Sequence, residues 1–74
     1  MMRFDAIIDD AIVKVGNTEY APCFHDDVNG STLYTIKASE NGGDWLRFGS
    51  MWSSAENIDE LKTAVKNWLS EVQL

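Results

Sequence analysis

The chain has 74 residues, 12 Asp and Glu against 6 Lys and Arg, and a hydrophobic share of 45% that includes three Trp, three Phe and two Tyr. That length holds one domain, residues 1–74, with a thin core, and so apolar a chain is not disordered. The net charge of −6 disfavours direct contact with DNA or RNA, whose phosphates call for clustered bases.

No run of about 18 apolar residues exists, so no membrane span is expected. The opening MMRFDAIIDDAIV meets acid early and lacks a small-residue cleavage site, which argues against a signal peptide. One cysteine, Cys23, forbids an internal disulfide and fits a reducing compartment, so a cytoplasmic location is expected. Residues 1–37 and 38–74 each hold six acids and three bases, so the charge is spread along the chain and forms no acidic tail.

Residues 3–12 are ambiguous. Phe4, Ile7, Ile8, Ala11 and Ile12 have helical spacing, while their β-branched content favours extended chain. Ala11 to Val15 reads as a strand, and Gly16-Asn17 as a II′ turn into Thr18-Glu19-Tyr20. Pro22 removes a ladder donor, so this second strand is expected to lie at an edge or to stop there. His25 to Ser31 reads as a polar loop whose Asn-Gly supplies positive φ angles.

Thr32 to Ala38 is a strand, 39–43 a turn, and Asp44 to Trp52 another strand with Gly49 a candidate bulge. Plain alternation puts Leu46, Phe48 and Trp52 on one side of it, and Trp45, Arg47, Gly49 and Met51 on the other. A bulge at Gly49 would reverse that parity partway along. From Ile58 to Val72 apolar residues recur in steps of three and four (Leu61, Ala64, Val65, Trp68, Leu69), the pattern of an amphipathic helix. Two capping boxes compete to start it between 54 and 58, Ser53 with Glu56 and Asn57 with Glu60. The order β-β-β-β-α predicts an α+β domain: a four-stranded antiparallel meander with one C-terminal helix packed on one face.

Catalytic and ligand templates fail on residue count or spacing. Cys23-x-His25-Asp26-Asp27 has metal-ligand chemistry, but zinc needs three or four converging ligands and the chain has one Cys and one His. With Gly30 at position six of a calcium loop, Ile36 falls at position twelve, where a carboxylate is needed. There is no GxxxxGK[ST] and no GxGxxG, and Gly49-Ser50-Met51 lacks the second glycine of a nucleophile elbow. Adjacent Asp9-Asp10 and Asp26-Asp27 point apart in extended chain, which does not suit a paired acid and base. The expectation is therefore no catalytic residue, no metal and no cofactor.

What remains is binding. On the sheet face that no helix covers, Leu33, Thr35, Trp45 and Met51 stand among Lys37 and Arg47. Unless the N-terminal segment folds over them, such apolar residues point to an interface, and Trp with Arg is a pairing enriched at binding hot spots. The candidate partner-binding residues are Trp45, Arg47 and Met51, with acidic surface from Asp26, Asp27, Glu40 and Asp44. The expected partner is a protein, most sharply a basic nucleic-acid-binding complex that this chain docks on and blocks. In size and acidity, though in no motif, the chain resembles the general profile of phage anti-CRISPR and anti-restriction factors. The alternative expectation is an accessory subunit or a homodimeric structural module whose outer face pairs with itself.

Overall fold

The computed structural model describes residues 7–72, with the side chains at positions 24–26 and 28 outside that description. Four strands, β1 (Val13–Val15), β2 (Thr18–Val28), β3 (Ser31–Glu40) and β4 (Trp45–Ser53), form one antiparallel sheet in the order β1-β2-β3-β4. One α-helix, α1 (Ile58–Val72), packs against it, so the expected α+β meander is the fold. No helix among the described residues is long and apolar enough to cross a membrane.

Turn chemistry sets the strand ends. At Gly16-Asn17 only the glycine has positive φ, 63°, the sign pattern of a II′ turn. At Asn29-Gly30 both residues do, 52° and 82°, the pattern of a I′ turn. A two-residue I′ turn forces its flanks to pair, so Val28 lies opposite Ser31 and Asp27 opposite Thr32, whose hydroxyl donates to the Asp27 carboxylate. Residues 25–28, expected in a loop, therefore extend β2. Asn41-Gly42 repeats the double positive φ, with the Gly43 N–H donating to the Glu40 carbonyl at 2.9 Å.

Pro22 neither ends β2 nor lies on an edge strand. Its carbonyl accepts from the Ile8 N–H at 3.0 Å, and in an antiparallel ladder a residue's N–H and C=O point the same way. The missing donor thus faces the side where a 3-10 turn over Asp9–Ala11 separates the Ile7 bridge from β1. In the ambiguous opening segment, Ile7 forms an isolated bridge to Cys23 before that turn, and residues 3–6 lie outside the described residues.

Helix α1 begins on Asn57, whose Oδ1 accepts the Glu60 N–H at 2.9 Å. Glu60 reaches back to the Glu56 N–H, also at 2.9 Å, so the second capping box prevails. Ser53 instead accepts the Ala55 N–H, ahead of the helix. Leu61, Val65 and Leu69 are buried against Ala11, Val13, Tyr20, Tyr34, Ile36 and Met51. Each helix side chain so placed contributes about 1.5–3 kcal/mol relative to exposure.

The register of β4 slips between its pairs Ile36–Gly49 and Lys37–Arg47, leaving Phe48 as an extra residue. Such a bulge reverses the side-chain parity that follows it. Gly49 and Met51 consequently face the helix with Ile36 and Tyr34, and Trp52 turns to the outer face opposite Leu33.

Candidate functional site

On the outer face, away from α1, the strand register assembles rows of side chains. One row runs Lys14, Glu19, Ser39, Trp45; the next runs Ala21, Lys37, Arg47. Farther along lie Cys23, Thr35 and Ser50, and then the register positions Asp26, Leu33 and Trp52. Trp45 is half-buried, while Trp52 is 57% exposed. Ser39 is buried beside Trp45, and its hydroxyl donates to the Gly43 carbonyl at 2.8 Å. Arg47 is exposed, with Nη2 donating to Ser50 Oγ at 3.4 Å.

Lys37 and Arg47, directly opposite one another, repel and gain from any anion placed between them. Among the described side chains the face carries Lys14, Lys37 and Arg47 against Glu19, and the register places Asp26 at its far end. Cys23, on the same face, is wholly buried as a small thiol. Among the described residues no group of three or more His, Cys, Asp and Glu comes together as a metal-binding set.

The seven residues expected to form one contact surface do not meet. Trp45 and Arg47 share the outer face. Met51 does not belong with them: it is 6% exposed in the core under α1, because the extra residue at Phe48 turned it inward. Asp27 lies across from Thr32 near one end of β3, and Glu40 closes the other end. The eight steps from Thr32 to Glu40 span roughly 26 Å at about 3.3 Å per residue. The side chain of Asp26 lies outside the described residues.

Glu40 and Asp44 line an open groove of about 480 Å³ on the helix side of the sheet, together with Tyr20, Ala38, Leu46 and Phe48. Its floor is stiff. The Phe48 ring meets Tyr20 edge-on at 5.1 Å between centroids and Trp68 at 5.8 Å, with interplanar angles of 64° and 87°.

Sequence reasoning placed Lys37 and Arg47 together on the face away from the helix, but it did not single out Leu46 and Phe48 and assigned Trp52 to the helix side. The signal for Trp52 was present in Gly49, a candidate bulge that reverses the parity following it. No protein-family model, curated protein or solved structure matches this chain.

Proposed function

We propose that this chain is a non-enzymatic protein-binding protein that docks on a basic, nucleic-acid-handling partner and blocks it, in the manner of phage anti-CRISPR or anti-restriction factors. The observation that carries this reading is the separation of charge. Three of the five described bases (Lys14, Lys37 and Arg47) fall on the outer face. The helix side and the ends of the sheet display nine exposed carboxylates against Lys62 and Lys66. Asp9, Asp10, Glu56, Asp59 and Glu60 surround the start of the helix, where Ile8 and Ile58 line one shallow cleft.

A surface covered with carboxylates imitates phosphate charge and steers fast association with a cationic groove. The contact is accordingly made by the helix side, with the outer face turned away. The test is competition against nucleic acid for candidate nucleic-acid-binding complexes at low and high salt. Capture should weaken as salt rises and should drop when the exposed Asp10 and Glu56 are changed to Lys. Capture indifferent to salt sinks charge imitation.

A second reading, self-association or service as an accessory subunit, is favoured by one observation. Trp52, 57% exposed, and the half-buried Leu33 present apolar surface on the same face as Lys37 and Arg47, which a second copy can cover with its acidic side. Sedimentation over a wide concentration range tests it; a monomer throughout removes it.

A further inference from the structure

We infer that the groove beside the β3–β4 turn is a receptor for an arginine side chain of the basic partner. The inference rests on the charge reading above and adds the recognition site itself. Helix α1 starts near Ile8 and Tyr34 and ends beside β1, where Leu69 and Ser70 lie close to Val13 and Val15. It leaves uncovered the corner of the sheet that approaches Asn41-Gly42. Leu46 is 67% exposed there and Phe48 44%, although both face the side that the helix covers elsewhere.

Three features of that corner suit arginine. Its methylene stem covers Leu46 and Ala38, withdrawing apolar surface from water. Its planar guanidinium stacks on the Phe48 ring, which the bulge and the contacts with Tyr20 and Trp68 hold in place. The Glu40 and Asp44 carboxylates at the rim accept its forked donors, a geometry that a compact ammonium does not match. Arg47 also borders the groove, with Nη2 3.4 Å from Ser50 Oγ on the outer face. Two carboxylates against that one cation leave the groove negative.

The experiment uses the full chain, ¹⁵N-labelled, titrated at low salt with acetyl-Leu-Arg-Leu-amide, its lysine analogue and its uncharged citrulline analogue. Amide shifts should concentrate at Ala38, Glu40, Leu46 and Phe48, with the arginine peptide the tightest of the three. Glu40→Gln or Asp44→Asn, each checked for an intact spectrum, should weaken it about two- to fivefold, the worth of an exposed ion pair. Leu46→Ser should weaken the arginine and citrulline peptides alike, since it removes the apolar floor. Shifts spread over Asp9, Asp59 and Glu60, with lysine and arginine equal, would remove the groove while leaving the charge reading in place. Absence of shifts from all three peptides at millimolar concentration overturns the groove, while the charge reading stands or falls on the salt dependence of capture.

Discussion

The indole of Trp68 occupies the space that a β-carbon on Gly49 would need. Such a carbon would lie 2.8 Å from Cη2 and 3.0 Å from Cζ2, closer than van der Waals contact permits. The glycine lets the helix settle on β4 next to the bulge. Gly49→Ala should cost about 1–3 kcal/mol, the usual penalty of overpacking, in urea unfolding followed by fluorescence. Trp68→Leu added to it should recover part of that loss. A Gly49→Ala protein as stable as the parent would show that the helix does not press on this strand.

Met51 and Trp52 are neighbours in sequence with opposite surroundings. Met51→Ala opens a cavity in the core and should lower stability by about 2–5 kcal/mol. Trp52→Ala removes a side chain that is mostly in water and should change stability by less than about 1 kcal/mol. Equal losses from the two would contradict the parity reversal at Phe48.

The start of the helix offers a paired comparison. Asn57→Ala removes the acceptor of the Glu60 N–H and should cost about 0.5–2 kcal/mol. Ser53→Ala breaks only the bond from the Ala55 N–H, outside the helix, and should cost less. Thermal unfolding by circular dichroism ranks the two; a larger loss from Ser53→Ala would relocate the cap.

Cys23 has no exposed surface, so a thiol reagent can reach it only through opening of the fold. Modification should be slow in native buffer and should accelerate with urea in step with unfolding. Complete reaction within seconds in native buffer would be incompatible with its position between Ile7 and Thr35 on the sheet.

Much of the fold was legible because it is local. The stripe of Leu61, Val65 and Leu69 has helical period, the Asn-Gly and Gly-Asn pairs carry the φ signs of hairpin turns, and short turns leave consecutive strands little choice but to pair. The reading of Pro22 failed because the deciding partner lies far along the chain: its missing N–H faces the side where a 3-10 turn over Asp9–Ala11 separates the Ile7 bridge from β1.

The residues themselves determined the α+β meander, the amphipathic helix, the acidic balance and the failure of the catalytic templates. Tertiary structure decided which side chains form a surface. Side chains alternate with a period of two, so one extra residue at Phe48 exchanged Met51 for Trp52 on the outer face. Cross-strand register likewise set Lys37 directly opposite Arg47, and the β3–β4 turn brought Asp44 beside Glu40 at the groove.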